Sequence, residues 1–311
     1  MKIEEAILVY LKHLMILGRS PYTIKGARYS LADFSRFLQG EDIHLLEKLT
    51  ADLLEEYQQE LAFRLTAKGN LLASRTQAQL LSVVKTFTRF LKEKDYLVHD
   101  PGERVKLPKK PKRLPKAILT PTEVKRIHKA PDIRTNRGYR NRIILEILYD
   151  TGIRRAEVAN IKITDLDLDA GYVHIRGKGN KDRVVPLSRR VCGLVRNYIL
   201  AVRPVFVMNE DSGYLILNRW GRKMDPNGIW AVVKRCALLS GVKKNVTTHA
   251  FRHSCATHML RNGAPIRHLQ EMLGHESLES TEIYTHVTIN DLKEVHTKYH
   301  PSEHMEDKPK K

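Results

Sequence analysis

The segment from residue 106 to residue 119, KLPKKPKRLPKAIL, most constrains how this 311-residue chain can fold. Its prolines exclude a regular helix because they lack a backbone N–H, and its many cations favour a solvated, semi-extended strand of chain. The prolines are Pro108, Pro111 and Pro115. We therefore predict a basic linker, 106–119, between two domains, 1–105 and 120–311, and the chain is long enough for each to bury its own core.

Residues 1–105 show helical signals only. Apolar side chains recur at helical spacing from Ile7 to Leu17, Ser20 and Pro21 form an N-cap and N1 pair, and Thr50 begins a further helix. The stretch ASRTQAQLLSVVKTFTRFLKEK adds a long amphipathic run, so we expect a four-helix unit. Charged residues interrupt the first apolar stripe, which therefore predicts neither a signal peptide nor a membrane span.

The second domain is predicted to be helical around a small sheet. Thr120 and Glu123 form a capping box, and a helix from about 139 to 151 is expected to end at Gly152. Period-two patterning between 161 and 188 predicts an antiparallel hairpin in which GKGN joins YVHIR to RVVPL. Further helices are expected at 188–202, 225–240, 249–262 and 265–272. The predicted fold class is mainly α with a small antiparallel β-sheet.

The charge of the chain points to a polyanionic partner. Lys and Arg number 54 against 35 Asp and Glu, a formal net charge of +19, and nucleic acid is the leading partner. A linker lying along a phosphate backbone is favoured over a merely solvated charge run, and its candidate DNA contacts are Lys109, Lys110, Lys112 and Arg113. The three cysteines lack a C-x-x-C spacing, which disfavours a disulfide framework and a zinc ribbon and fits a reducing cytosol.

The stretch THAFRHSCATHML sets His249 and Arg252 on one face of a predicted helix, where an imidazole and a guanidinium can bind phosphate together. His249 and His253 also have the spacing of two metal ligands. The metalloprotease pattern H-E-x-x-H needs a glutamate where this chain has Ala250, and no carboxylate falls inside the stretch. We therefore predict no metal site.

Two further stretches place cations beside turns. In DTGIRRAEV, Arg154 follows the helix-ending Gly152 by two residues, and Glu157 could pair with Arg154 or with Arg155. In RGKGNKDR, Lys178 stands between two glycines at the predicted hairpin tip, where a long cationic side chain can reach a bound ligand.

The stretch LGHESLESTEIYTH contains His275 and Tyr284. On one continuous helix, nine steps of about 100° would put these two side chains on opposite faces. Gly274 is instead predicted to end the preceding helix, and Ser277 or Ser280 to cap the next one. With His275 in a turn and Tyr284 on a new helix, the two side chains can converge.

Taken together, TGIRRAEV, GKGNKDRVVPLS, HAFRHSCATHML and LGHESLESTEIYTHV resemble, in order and approximate spacing, the motif boxes of the tyrosine recombinase or phage integrase family, nearest to its Xer-type bacterial members. The resemblance spans most of 1–300 and implies a helical core-binding (SAM-like) domain, a hinge and an α+β catalytic domain. It implies that Tyr284 is the nucleophile and that Glu157 supports the first arginine. The other implied catalytic residues are Arg154, Lys178, His249, Arg252 and His275.

The resemblance further implies a site-specific recombinase that cuts and rejoins double-stranded DNA through a 3′-phosphotyrosyl intermediate, without a metal, a cofactor or ATP. It implies a tetramer on two duplexes, built from this chain alone or with a second related recombinase, and it leaves room for an accessory activator. The expected location is the cytosol, with the nucleoid. Dimer resolution and integration or excision of a mobile element both stay open.

Two alternatives share parts of this pattern. A type IB topoisomerase uses the same tyrosyl chemistry but is disfavoured by the separate core-binding domain, and a catalytically silent DNA-binding regulator would have no use for Tyr284.

Two positions depart from the family pattern: the common HP-R ending reads HPSEH here, and Asp150 stands where many relatives have a small residue.

Overall fold

The computed structural model describes residues 1–108, 118–177, 182–274 and 289–305. The chain forms two compact units, Met1–Leu114 and Pro115–Lys311. The four predicted DNA contacts of the linker, Lys109, Lys110, Lys112 and Arg113, lie outside the described residues. No helix within these described ranges is both long and apolar enough to cross a membrane.

The first unit is the predicted bundle of helices. Its helices are α1 Ile3–Ile16, α2 Pro21–Gly40, α3 Ala51–Phe63 and α4 Ser74–Glu93. Ser20 caps α2 by accepting from the backbone N–H of Thr23, and Thr50 caps α3 in the same way. The fully buried rings of Phe34, Tyr57 and Phe87 lie in its core.

The second unit packs helices around a three-stranded antiparallel sheet, as predicted. Thr120 and Glu123 form the expected capping box. The elements in chain order are α5 Pro121–His128, α6 Asn136–Thr151, α7 Arg155–Asn160, β1 Leu166–Asp167, β2 Tyr172–Ile175, β3 Arg183–Pro186, α8 Arg189–Asn197, α9 Pro226–Leu239, α10 Thr248–Arg261, α11 Ile266–Leu273 and α12 Ile289–Tyr299. Shorter helical turns, Tyr198–Val202 and Arg203–Phe206, continue from α8.

Helix α6 is the centre of the second unit. Its residues from Ile143 to Thr151 are all buried, because it packs against α5, α7, α8, α9 and α10. It begins at Asn136, three residues before the predicted start, with Thr135 as its N-cap. It ends at Gly152, whose φ of 61° is left-handed as a C-terminal glycine allows. Its first residues, Asn136 and Arg137, are polar and exposed and add nothing to an apolar pattern, which is why the start was the less accurate boundary.

The hairpin of β2 and β3 has the predicted pairing. Tyr172 lies opposite Pro186 and Ile175 opposite Arg183. Lys178, the predicted tip residue, lies outside the described residues. Both α11 and α12 pack against β3, so this strand faces the C-terminal part of the unit.

Candidate active site

The C-terminal end of α11 is held by three arginines from three different elements. Their guanidinium groups donate to three successive carbonyl oxygens: Arg183 Nε to Met272 at 3.1 Å, Arg252 Nη2 to Leu273 at 2.7 Å, and Arg154 Nη2 to Gly274 at 3.2 Å. The last carbonyls of a helix have no partner within the helix and carry partial negative charge. Three cations therefore fix the point from which the chain continues to His275.

Arg252 connects two helix ends. Besides the bond to Leu273, its Nη1 donates to the carbonyl of Gly152 at 2.8 Å, so α6 and α11 end against the same guanidinium. Burial is the main reason that the pKa of Arg252 falls to about 10, and the neighbouring Arg154 is the next. A pKa near 10 still leaves the side chain charged at neutral pH, within a half-buried site where its field is weakly screened.

Glu157 is the carboxylate of this site, and its side chain is only 10% exposed. Its Oε2 accepts from the backbone N–H of Arg154 at 2.7 Å and its Oε1 from Arg154 Nη1 at 3.1 Å. Arg183 donates to both oxygens as well, from Nη1 to Oε1 at 3.1 Å and from Nη2 to Oε2 at 2.9 Å. Of the two predicted partners, Glu157 thus bonds to Arg154, and it also bonds to an arginine that sequence reasoning had not singled out.

The protonation of Glu157 follows from these contacts. Burial opposes its ionisation, but the hydrogen bonds from Arg183 and from the backbone of Arg154 outweigh burial and hold its pKa below the ordinary value. The single carboxylate of Glu157 is therefore surrounded by the guanidinium groups of Arg154, Arg183 and Arg252. This excess of positive charge favours the binding of an anion. The Arg154 side chain is 47% exposed, against 14% for Arg183, so Arg154 is the more open of the two to a ligand.

His249 lies in the first turn of α10, exposed, and three residues before Arg252. That spacing places both side chains on one face of the helix, at the N-terminal end, where the helix dipole favours negative charge. Thr247 caps the helix by accepting from the backbone N–H of Ala250. The local structure is therefore the one predicted for a phosphate-binding pair.

A separate buried cluster lies where α6 meets the C-terminal end of the described chain. Asp150, His296 and His300 are the one group of metal-capable side chains that come together among residues 1–108, 118–177, 182–274 and 289–305. Their polar atoms have protein partners: Asp150 accepts from the backbone N–H and Oγ of Ser188 at 2.8 and 2.7 Å, and His296 Nε2 lies 2.9 Å from the carbonyl of Asp150.

His300 completes that cluster. Its Nδ1 accepts from the backbone N–H of Ser302 at 3.0 Å, while its Nε2 lies 3.2 Å from the carbonyl of Tyr149, which is the arrangement of a neutral ring protonated at Nε2. The cluster thus joins α6, the start of α8 and the turn Pro301–His304. Both departures from the family pattern, Asp150 and the HPSEH ending, meet in this network.

The structure brings together Arg154, Glu157 and Arg252 of the predicted site, with His249 on the same helix face as Arg252. The other predicted residues, Lys178, His275 and Tyr284, lie outside the described residues. Arg183 is the site residue that sequence reasoning missed. It shares a face of β3 with the fully buried Val185, and a cation on the inward face of a strand is a signal of a buried anion.

Comparisons with known proteins agree with this arrangement. The family model described as phage integrase family matches residues 117–291, and the one described as phage integrase, N-terminal SAM-like domain, matches residues 7–95. Tyrosine recombinase XerD of Staphylococcus epidermidis is 35% identical over 297 residues, covering 94% of this chain and 97% of the relative. Tyrosine recombinase XerC 2 of Ralstonia nicotianae is 37% identical over 290 residues, covering 93% and 83%.

Among solved structures, a lambda integrase tetramer bound to a Holliday junction aligns with a TM-score of 0.68 over 90% of this chain and 76% of the other, at 16% identity. At that identity the match shows a shared fold.

Proposed function

Because the chain belongs to the phage integrase family and is a tyrosine-type site-specific DNA recombinase, we propose that Tyr284 is the nucleophile that attacks a DNA phosphodiester. Arg154, His249 and Arg252 bind the nonbridging oxygens of that phosphate. Glu157 orients Arg154, and His275 positions the phosphate or the tyrosine.

In the proposed reaction the phenolic oxygen of Tyr284 forms a bond to phosphorus as its proton leaves, and the bond from phosphorus to the 5′ oxygen breaks. Lys178 donates a proton to that 5′ oxygen, because an alkoxide is a poor leaving group. The products are a 3′-phosphotyrosyl bond and a 5′ hydroxyl. Attack by a 5′ hydroxyl of a second duplex reverses these steps and exchanges the strands.

The observation that supports this proposal is the convergence of Arg154 and Arg252 on adjacent carbonyls, those of Gly274 and Leu273. These carbonyls lie immediately before the segment that carries His275 and Tyr284. In the proposed reaction this positive charge stabilises the negative charge that gathers on the pentavalent phosphorane. Removing one such donor commonly costs on the order of 10²–10³ in rate.

We also propose that the reaction needs no metal or other cofactor, since guanidinium groups supply the charge stabilisation that a divalent ion gives in other phosphoryl-transfer sites. Two duplexes require four active sites, so the proposed assembly is a tetramer, of this chain alone or with a second related recombinase, and an accessory activator remains part of the hypothesis. The linker would lie along the DNA, with Lys109, Lys110, Lys112 and Arg113 against its phosphates.

A direct experiment incubates the protein with fragmented host genomic DNA in EDTA and recovers fragments that stay linked to protein in detergent. Sequencing these fragments gives the target site, and a nicked suicide duplex of that sequence then serves as substrate. Wild type is expected to form a covalent adduct in EDTA, Tyr284→Phe none, and Tyr299→Phe as much as wild type. Failure of wild type to form an adduct, or a need for a divalent ion, would overturn the proposal.

The same substrate separates the alternatives. A silent regulator would bind the duplex without an adduct, and a topoisomerase-like enzyme would relax supercoiled plasmid without exchanging strands between two duplexes. Whether the recovered site lies once in the chromosome or at the ends of a mobile element distinguishes dimer resolution from integration or excision.

A further inference from the structure

Arg183, the first residue of β3, contacts two other elements of the candidate active site through all three of its guanidinium nitrogens. Nη1 and Nη2 donate to the two oxygens of Glu157 on α7, and Nε donates to the carbonyl of Met272 near the end of α11. Both Arg183 and Glu157 are largely buried. A planar guanidinium that donates to a carboxylate through two nitrogens and to a carbonyl through the third can adopt only one orientation. The three elements β3, α7 and α11 are therefore held in one arrangement.

The position of Arg183 in the chain gives this arrangement its relevance to the reaction. It follows Lys178 by five residues on the hairpin, and its partner Met272 precedes His275 by three. The Arg183 guanidinium therefore lies near two points of the chain: the strand that follows Lys178, the proposed general acid, and the helix end that precedes His275 and Tyr284.

Charge balance supports the same role. Arg183 accounts for one hydrogen bond to each oxygen of Glu157, so that carboxylate is shared between Arg183 and Arg154. If Arg183 were neutral, the buried carboxylate would depend on Arg154 alone and would draw that guanidinium away from a DNA phosphate. Arg183 thereby keeps Arg154 available to the substrate.

Gly274 supplies an independent observation. It has a φ of 65°, and a Cβ built on it would lie 3.2 Å from both Cζ and Nε of Arg183. Such a separation is tighter than an ordinary van der Waals contact, so a glycine at this position gives the guanidinium room beside the backbone. The lack of a side chain at Gly274 and the hydrogen bond from Arg183 to Met272 thus both fit a close approach of the guanidinium to this part of the backbone.

We propose that Arg183 is a positioning residue for DNA strand cleavage: by joining Glu157 to the end of α11, it fixes the orientation of Arg154 toward the scissile phosphate and holds the end of α11 from which the chain continues to His275. Arg183 acts through these residues and does not touch the DNA. The inference rests on the function proposed above and adds to it a residue outside the six catalytic positions.

The test measures single-turnover adduct formation on the nicked suicide duplex for wild type, Arg183→Gln and Arg183→Lys. The end point, which is the final amount of adduct, measures how many active sites are folded and competent. The rate constant measures how well the catalytic groups are aligned in those sites. Arg183→Gln is expected to reach the wild-type end point about 100-fold more slowly, the size of effect that a misplacement of about 1 Å produces. Arg183→Lys keeps the charge but not the fork, and an intermediate rate is expected.

Arg196→Gln is the matched control, because Arg196 is a half-exposed arginine of the same unit paired with the exposed Asp169. It removes the same charge and should keep the wild-type rate. The double variant Arg183→Gln with Glu157→Gln tests charge balance: without the carboxylate, no buried negative charge draws Arg154 away from the phosphate. We expect the double variant to cleave faster than Arg183→Gln alone.

The outcomes separate this inference from the proposed function. Absence of an adduct in wild type would overturn the proposed function itself. With an active wild type, unchanged rates in both Arg183 variants, or a reduced end point at an unchanged rate, would overturn the positioning role and leave the function standing. A double variant no faster than Arg183→Gln would refute the charge-balance argument.

Discussion

Arg252 on α10 donates to the carbonyl of Leu273, the last residue of α11, across 2.7 Å. Its other terminal nitrogen donates to Gly152 at the end of α6. A guanidinium has five N–H donors in one plane, so two carbonyls can hold its orientation while the group still faces a phosphate. The bond between Arg252 and Leu273 thus holds a cation in a fixed orientation. In the function proposed above, that orientation exists before DNA binds, which is the condition under which electrostatic stabilisation accelerates a reaction.

Replacing Arg252 by lysine tests whether this fixed geometry matters beyond charge. Lysine keeps the positive charge but cannot span both carbonyls, so we expect single-turnover cleavage to fall on the order of 10²–10³. Arg261→Lys, the same change at an exposed position of the same helix, should leave the rate unchanged. A wild-type rate for Arg252→Lys would mean that charge alone suffices.

Gly274 and Gly213 provide a matched pair of left-handed glycines. Both have positive φ, but a Cβ would contact Arg183 at Gly274 and nothing within 4 Å at Gly213. Alanine at either position should cost about 1–2 kcal/mol of unfolding free energy through backbone strain. We expect only Gly274→Ala to slow adduct formation as well, and equal rates in the two variants would contradict the importance of the contact with Arg183.

Asp150 is predicted to stabilise the second unit rather than to take part in chemistry. Asp150→Ala leaves the buried N–H and hydroxyl of Ser188 without their acceptor, which should lower the free energy of unfolding by about 1–3 kcal/mol. Urea unfolding followed by tryptophan fluorescence reports this unit, because both tryptophans, Trp220 and Trp230, lie in it. The exposed control, Asp169→Ala, should change stability by no more than about 0.5 kcal/mol.

The docking of the C-terminal turn should weaken in acid. Burial is the main reason that the pKa of His300 lies well below its ordinary value of 6.5, and its neutral Nδ1 accepts from Ser302. Protonation would turn that acceptor into a donor. The titratable and charged groups that face His300 are Tyr149, Asp150, Arg190, Cys255, His258 and His296.

The direction in which stability changes with pH follows from the lowered pKa of His300. The contribution of His300 to stability is complete above about pH 6.5 and declines as pH falls below it, by at most about 1.4 kcal/mol per pH unit. Hydrogen exchange in α12 should therefore be faster in wild type than in His300→Gln at pH 5.5 and similar at pH 7.5, because glutamine offers an acceptor and a donor without titrating. His174→Gln, at an exposed position, should behave as wild type, and a pH response that persists in His300→Gln would rule His300 out.

The elements of this fold were largely predictable because their signals are local. The caps at Ser20, Thr50 and Thr120 and the glycines that end α6 and α11 act within one helical turn, and the hairpin follows from period-two patterning. Glu157 was expected to bond to Arg154 or to Arg155, three or two residues away. Its bond to Arg183 was not foreseen, since it depends on how α7 packs against β3, and the two residues are 26 positions apart in the chain.

Asp150 illustrates the same limit. Its partner Ser188 is 38 residues away, and its neighbours His296 and His300 come from a segment whose placement only tertiary structure decides. Arg154, Glu157 and Arg252, in contrast, stand in two short motifs that can be read directly from the sequence, TGIRRAEV and HAFRHSCATHML.

Locating the covalent bond between protein and DNA tests directly whether Tyr284 is the nucleophile. Adduct formed on the suicide duplex is digested with protease and nuclease, and the nucleotide-bearing peptide is sequenced by mass spectrometry. We expect a single modified peptide with the nucleotide on Tyr284. Attachment to another tyrosine, or to a serine, would contradict it.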